Sequence, residues 1–516
     1  ETGHCVVCGL VDSGKSTFLQ TLLYSLVNRY SPQHLNIYAL DFSSAKLNVF
    51  SGLAHVGGVM DGRDLTRIQK FFKMLDNIMI QRQKQLAGGD FRQYIKLHRG
   101  EMPAILVAID QYAVFREKTG NAYDDLILRI SSVGAGCGIY LAVTAGGFGG
   151  AEIPNRLAEN FRNPISLEMG DKFKYGDILR TMHFATLPEA NVKGRGLVNV
   201  GGAILEFQTA LAVLADDDYQ RSEKIEARCQ FLNSSWTGKW AEEIPTIPEK
   251  PVWNEFCSLT AFQTLSEDDR HLPIGYLEED ASVYGVDLSQ SFCYLISGRV
   301  HTGRTTALRL LMSSAAAKGG QLVVIDGETG ELRRNAEDLN ARYIYTRKEN
   351  YEFWKEILPE FKARNQEKRM LVEKGCEDEE IFEAMLHYEK IYIFIHDLGS
   401  FMDWVYAPAD TEAAIGQIHG FIENVAEKGK LHQIYLFAVC NPDELTQYNG
   451  RRAFNAFVGY RAGIHLGGDV DRQRFFSFDN IPFAERTKVT KPGVALAASP
   501  QKPGQADKIV LPQWKG

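Results

Sequence analysis

Gly9-Leu10-Val11-Asp12-Ser13-Gly14-Lys15-Ser16-Thr17 is the stretch that decides the fold. It fits G-x-x-x-x-G-K-[ST], the loop with which nucleoside-triphosphate-binding proteins hold phosphates. Gly9 and Gly14 let the backbone curl until its N–H groups point into one concavity. Lys15 reaches the β- and γ-phosphates as a point charge, and the Ser16 hydroxyl is a ligand for Mg2+. Asp12, Ser13 and Thr17 complete the expected nucleotide contacts. Cys5-Val6-Val7-Cys8 reads as a buried strand feeding the loop, and Thr17 to Tyr24 as a helix whose N-terminus faces the phosphates. The bland alternative is a glycine turn in an ordinary βα unit. The strand–loop–helix context argues against it.

Outward from the loop, strands and helices alternate. Leu35 to Asp41 is a second strand, Ile68 to Leu86 a long helix, and Ala104 to Asp110 an apolar strand ending in an acid. The Asp110 carboxylate is expected to hold Mg2+ through water; the bland alternative, a buried strand with a capping aspartate, is disfavoured by the phosphate loop. Asp124 to Ile130 is helical, and Gly138 to Thr144 is a fourth strand whose terminal Thr144 is placed to sense the γ-phosphate. Such alternation implies an α/β fold with a mainly parallel sheet flanked by helices and ligands at the strand C-termini.

The pattern then repeats. Ile296 to Thr306 restates the loop 289 residues further on, with Gly298, Thr302, Gly303, Arg304, Thr305 and Thr306 as its nucleotide contacts and Thr305 as the metal-side hydroxyl. Leu322 to Asp326 repeats Ile37 to Asp41, Tyr392 to Asp397 the acidic strand, and Ile434 to Val439 the strand Ile139 to Thr144. Ile464 to Asp469 repeats Ile165 to Asp171, and Lys491-Pro492-Gly493 echoes Lys193 to Gly196. The chain is therefore expected to hold two tandem P-loop domains, 1–215 and 273–516, the second with a degenerate loop. A charged, proline-bearing connector over 216–272 docks on them. Within that connector Tyr219 to Leu232 reads as a helix, and Asp216-Asp217-Asp218 as its solvated start rather than a metal cluster.

Length and composition agree with soluble globular domains: 516 residues, 45% hydrophobic and 24% charged. A net charge of −8 gives no support to a general nucleic-acid binder. No apolar run is long enough to span a membrane, and no secretory signal is visible. The eight cysteines are scattered. Cys5 and Cys8 form C-x-x-C inside the first strand, where core thiols of a reducing compartment are the simpler reading than a redox or metal pair. The run Glu1-Thr2-Gly3 enters the first strand at once, the expectation for a fragment of a longer protein.

Several of these residues carry a family resemblance. Gly3-His4 ahead of the loop, Gly9 to Thr17, and Ala104 to Asp110 resemble FtsK/SpoIIIE-type ATPases, as do Leu272-Pro273-Ile274-Gly275 and Val286-Asp287-Leu288 before the second loop. With the tandem arrangement, Gly194-Arg195-Gly196-Leu197 followed by Phe207-Gln208-Thr209-Ala210-Leu211 is similar to EssC/EccC, the membrane-anchored ATPases of type VII secretion. The resemblance covers nearly the whole chain, as the last two ATPase domains. It implies a RecA-like fold, ATP and Mg2+, and cytoplasmic domains of a cell-membrane protein. It also implies an upstream ATPase domain and membrane portion in the same full-length chain, hexameric assembly, and export of WXG100-type proteins.

The sequence departs from an active ATPase at three places. Gln111 follows Asp110 where active relatives carry glutamate; an amide orients water but does not take its proton. Lys15, Asp110 and Gln111 are thus the residues for a weak hydrolysis. In the second domain Arg304 replaces the lysine with a larger forked donor. An ungapped comparison puts His396 in the Mg2+-aspartate slot and Asp397 in the glutamate slot, while a shift of one residue would return Asp397 to the metal. Imidazole is a poor partner for Mg2+, so the second site is read as retaining ATP. Arg156, Arg162, Arg451 and Arg452 are candidates to complete a neighbour's site, though surface roles are the simpler reading. Trp404 and Tyr406 suggest a substrate groove or, more simply, core. The competing functions are a DNA-translocating motor, which the acidic balance disfavours, and a non-catalytic nucleotide-bound scaffold.

Overall fold

The computed structural model describes residues 3–98, 101–184, 187–327 and 330–514; Glu1 and Thr2 of the opening run lie outside them. The chain divides into two compact units, Glu1–Thr246 and Ile247–Gly516.

Among the described residues the first unit builds an eight-stranded sheet. Its strands are β1 (Cys5–Cys8), β2 (Leu35–Asp41), β3 (Val56–Met60), β4 (Ala104–Asp110), β5 (Ile139–Ala145), β6 (Ile165–Leu167), β7 (Arg195–Val200) and β8 (Ala203–Gln208). Their spatial order is β3-β2-β4-β5-β1-β6-β7-β8. Pairing is parallel from β3 to β6 and antiparallel for β7 and β8. The apolar run of β4 is buried on both faces, as a central parallel strand requires. Ile105, Val107 and Ile109 join a core with Phe71, Phe72 and Leu75 of the helix Leu65–Leu86. Leu106 and Ala108 point the other way, to Leu19, Leu23 and Val27 of the helix Lys15–Arg29.

The second unit repeats the plan. Its strands are β9 (His271–Leu277), β10 (Val283–Asp287), β11 (Cys293–Gly298), β12 (Gln321–Ile325), β13 (Arg342–Ile344), β14 (Ile391–Ile395), β15 (Ile434–Cys440), β16 (Ala462–Leu466), β17 (Val494–Ala498) and β18 (Ala506–Val510). Read from β13, the order β13-β12-β14-β15-β11-β16-β17-β18 reproduces the first sheet strand for strand, and the hairpin β9–β10 extends its far edge. Leu272 and Ile274 of that hairpin bury into the core with Leu308 and Leu311 of the helix Arg304–Lys318.

Residues 216–272 are shared between the units. Asp217 caps the helix Asp218–Ser234, whose Ile225 and Cys229 bury in the first unit. Ala241 and Ile244 donate their N–H groups to Ala54 and Gly57 there. Trp253, Phe256 and Phe262 belong to the core of the second unit. Trp404 and Tyr406 pack against a core cluster, with the Tyr406 hydroxyl donating to Glu423 at 3.0 Å. Cys5 and Cys8 are free thiols within β1; burial pushes Cys8 up to about 12.

One buried group of the second unit opposes folding in acid. His432 is inaccessible, and both its ring nitrogens lack partners. Burial, then the charges of Lys368 and Arg364, lower its pKa from 6.5 to about 3. Below 6.5 the unfolded chain binds a proton that the folded one refuses, so stability falls as pH drops toward the folded pKa. His432→Leu is expected to flatten this loss and to raise the stability of the unit at about pH 5. Urea unfolding followed at that pH and at neutrality checks it; an unchanged pH slope would refute the assignment.

Candidate functional site

The first site grows from the C-terminal end of β1. The loop leaves the strand at Gly9 and turns at Asp12, which has φ 64°. It enters the helix Lys15–Arg29 through Gly14 at φ 103° and ψ 13°. This left-handed conformation favours glycine. A Cβ at Gly14 would also come within 2.9 Å of Gly194 N, and one at Gly9 within 2.5 Å of Ser13 Oγ. Gly194 is tied to the loop by its N–H on Ser13 O (2.8 Å) and accepts from Thr209 N–H (2.8 Å). The turn therefore leaves backbone, not side chain, facing the cradle.

Lys15 is buried and donates from Nζ to Gly9 O and Leu10 O, both at 2.7 Å. Burial lowers its pKa, against the attraction of Asp110, Glu152, Cys8 and Asp12. Asp110 ends β4 with no exposed surface. Thr144, at the end of β5, donates its hydroxyl to Asp110 Oδ1 and accepts the Gln111 N–H at 2.9 Å. Asp110 Oδ2 is buried without a hydrogen-bond partner. Burial raises this carboxyl above its ordinary range; the hydroxyls of Ser16 and Thr144 and the Lys15 ammonium pull it back without cancelling the effect. Ser16 thus lies near enough to favour the ionised form without closing a hydrogen bond on Oδ2. An unpaired carboxylate oxygen beside a hydroxyl at a helix start is a donor set that suits Mg2+. Gln111 holds φ 63°, a conformation uncommon for a side-chain-bearing residue, directly after the strand.

A cavity of about 580 Å3 opens over this loop, lined by Asp12, Gly14, Lys15, Ser16, Thr17 and Gln111 among the residues expected from sequence. Ser13 itself is buried beneath it. Several lining residues have no motif to announce them. Lys46 donates to Thr17 Oγ1 (3.2 Å) and to Asp218 (2.8 Å), and Asp218 also pairs with Arg221. Lys193, Gln208 and Thr209, from stretches already singled out by the repeat and the family resemblance, line it as well. The Asp216 to Asp218 cluster is thus a helix cap and an ion-pair anchor. Glu152 is another residue that the motifs do not reveal. It shares a 490 Å3 hollow with Lys15 and Gln111 and accepts the Gly146 N–H at 2.8 Å. The glycine run Gly146 to Gly150 is the one local hint of it, since a Cβ at Gly146 would strike the Glu152 carboxylate.

The second site keeps the backbone and changes the side chains. His301 has φ 66° and Gly303 φ 102°, ψ 15°, matching Asp12 and Gly14. Thr302 Oγ1 donates to Arg299 O at 2.7 Å, and Arg304, Thr305 and Thr306 open the helix Arg304–Lys318. The register of the sheet decides which residue stands in the aspartate slot. Asp41 pairs with Asp110 across β2 and β4, and Ile325 with Ile395 across β12 and β14. Asp326 and His396 come next, so His396 takes the place of Asp110 and Asp397 that of Gln111. Asp41 and Asp326 confirm the match: each accepts, at 2.9 Å, the N–H of the residue six positions on, Leu47 and Leu332. His396 Nδ1 lies 2.8 Å from Asp326 Oδ1. Burial works against the ionised form of Asp326, yet His396, the Leu332 N–H and Tyr343 together hold its carboxyl below the ordinary value. Asp397 caps the helix Leu398–Tyr406 through Ser400 N–H.

Of the arginines considered as trans-acting groups, Arg156 and Arg162 are exposed. Arg451 stacks on Tyr406, and Arg452 pairs with Glu423 and Glu427. No group of three or more His, Cys, Asp or Glu among the described residues is arranged to hold a metal ion. No described helix is long and apolar enough to cross a membrane.

Comparison with known proteins agrees with this geometry. Residues 1–172 match the FtsK/SpoIIIE family. The ESX secretion system protein EccC of Thermomonospora curvata is 25% identical over 320 residues, 60% of this chain and 23% of the relative. The type VII secretion system protein EssC of Staphylococcus aureus is 20% identical over 349 residues, 66% of this chain and 23% of its own. The chain thus spans about a quarter of the length of these relatives. Among solved structures, EssC (ATPases 2 and 3) from Geobacillus thermodenitrificans matches 100% of this chain and 92% of its own, at TM-score 0.71 and 20% identity. Thermomonospora curvata EccC (ATPases 2 and 3) in complex with a signal sequence peptide matches 99% and 88%, at TM-score 0.62 and 18% identity. The fold is that of two tandem P-loop NTPase domains.

The Thr144 hydroxyl bridges the buried Asp110 carboxylate and the part-buried Gln111 N–H. Thr144→Val is expected to destabilise the first unit by about 1–3 kcal/mol, the cost of unpaired buried polar groups. It also frees the Asp110 carboxylate to turn. Urea unfolding of the variant measures the first effect; wild-type stability would show that the bridge is not made.

Proposed function

We propose that this chain, which carries an FtsK/SpoIIIE-family domain over residues 1–172, is the ATP-binding portion of a type VII secretion motor. It regulates the motor and docks exported WXG100-type proteins, with weak or no hydrolysis of its own. The observation that carries the nucleotide reading is the first loop. A left-handed glycine turn, a buried lysine and the Ser16 hydroxyl line one cavity, and the inaccessible Asp110 next to Ser16 keeps one oxygen without a hydrogen-bond partner. ATP phosphates fit the backbone of Gly9 to Gly14 with Lys15, Ser16 and Thr17. Ser16 and Asp110 would hold Mg2+, which would supply positive charge against the phosphates. In the second unit Gly298, Thr302, Gly303, Arg304, Thr305 and Thr306 form the corresponding cradle.

Weak turnover follows from Gln111. Its backbone is fixed on Thr144, and its side chain puts an amide, which orients water without taking its proton, where active relatives are expected to carry glutamate. Glu152, which shares a hollow with Lys15 and Gln111, gives one of its two oxygens to the Gly146 N–H. The secretion reading rests on the EccC and EssC relatives, and the docking reading on the EccC structure with a signal sequence peptide. The resemblance to these ATPases implies a place at the cytoplasmic face of a membrane, below an upstream ATPase domain and membrane portion, within a hexamer. A DNA-translocating role is disfavoured by the net charge of −8.

Nucleotide content and turnover test this directly. The denatured chain is expected to release about two ATP, one per loop, with little phosphate release in Mg2+. Brisk release abolished by Lys15→Ala would overturn the weak-hydrolysis reading, and a chain free of nucleotide that gains no thermal stability from ATP would overturn the binding one.

A further inference from the structure

We infer that the second site takes its nucleotide without a divalent metal, because the imidazole of His396 fills the position where the first site keeps its metal-binding carboxylate. The inference rests on the reading that both loops bind ATP, and it concerns what holds the ATP at the second.

The first site offers oxygens. The Ser16 hydroxyl lies 3.4 Å from Ser43 Oγ and near the Asp110 carboxylate, whose Oδ2 is buried without a hydrogen-bond partner. The second site has its equivalents already engaged. His396 Nε2 lies 3.4 Å from Thr305 Oγ1, the counterpart of Ser16, and 3.4 Å from Glu331 Oε2. On its other edge Nδ1 meets Asp326 at 2.8 Å. Asp326 cannot turn away, because its second oxygen accepts Tyr343 OH (2.7 Å) and Leu332 N–H (2.9 Å). The ring is thus held by both nitrogens between the helix start and the end of β12. Mg2+ demands near-octahedral oxygen ligands and dehydrates reluctantly. Here it would face a nitrogen, a carboxylate already saturated, and Glu331, whose side chain is 55% exposed. The residues do not fit the ion. Compensation of the triphosphate charge falls instead to Arg304 and to the free N–H groups at the start of the helix Arg304–Lys318.

The prediction is a stoichiometry of about two ATP but one metal ion per chain. Mn2+ serves as the probe, read by electron paramagnetic resonance, with ATP binding measured by equilibrium dialysis on the full chain with and without EDTA. Lys15→Ala silences the first site. In that variant ATP affinity is expected to stay within about twofold on chelation, with no Mn2+ signal. Adding His396→Asp is expected to restore a Mn2+ signal and to make ATP binding fall on chelation. An affinity loss of about tenfold or more on chelation of Lys15→Ala, with His396 intact, would overturn the inference alone. No ATP bound to Lys15→Ala in either buffer would overturn the nucleotide reading of the second site, and the inference with it. Wild-type protein supplies a check independent of folding of the variants: two Mn2+ per two ATP would also overturn it.

Discussion

Each unit is organised around one backbone reversal, in which a buried strand becomes a helix through a left-handed glycine. At Gly14 the space that a Cβ would need is occupied by Gly194, so the turn has no room for another residue as well as no conformational tolerance for one. The sheet order does the rest. β1 lies between β5 and β6, with β4 beyond β5, so the ends of β4 and β5 deliver Asp110 and Thr144 beside the first turn of the helix. A carboxylate with no exposed surface is costly. It is tolerated here because Thr144 satisfies one oxygen and Lys15 supplies a nearby charge. The other oxygen has no hydrogen-bond partner.

Much of this arrangement is legible in the amino-acid sequence. The strands β1, β2 and β4 end where the apolar runs end, because a strand buried on both faces must be apolar until it reaches the polar edge. The duplication is legible for the same reason: the strand-end residues recur in order, and the sheet repeats strand for strand. The wall of the cavity is not legible in this way. Lys46, Asp218 and Arg221 come from segments far apart in the chain, and nothing in the local pattern of a solvated helix start announces an ion pair with a residue well over a hundred positions away. Glu152 is hidden likewise, since its placement depends on the glycine beneath it. The ambiguity between His396 and Asp397 is of another kind. Periodicity cannot distinguish a one-residue shift at the end of a strand, whereas hydrogen-bond register can, and the Asp41–Leu47 and Asp326–Leu332 bonds settle it.

Comparing the two copies within the one chain separates what the fold needs from what the chemistry needs. The glycine turn, the aspartate that shapes the loop after the second strand, and the tie from Gly194 to Thr209 all persist; Gly493 accepts from Leu511 N–H as Gly194 does from Thr209. The lysine, the metal-side aspartate and the residue after it have all changed. A site that had lost its ligand altogether would be under no demand to keep His301 at φ 66°, a conformation that costs a side-chain-bearing residue energy which the surroundings must over-determine. The second loop keeps the left-handed turn of the first while His396, in the place of Asp110, is engaged by Asp326. A retained turn beside an engaged aspartate–histidine pair is the observation on which the proposal of a nucleotide held but not cleaved at the second loop rests, and it is what that proposal sets against both a motor and a relic.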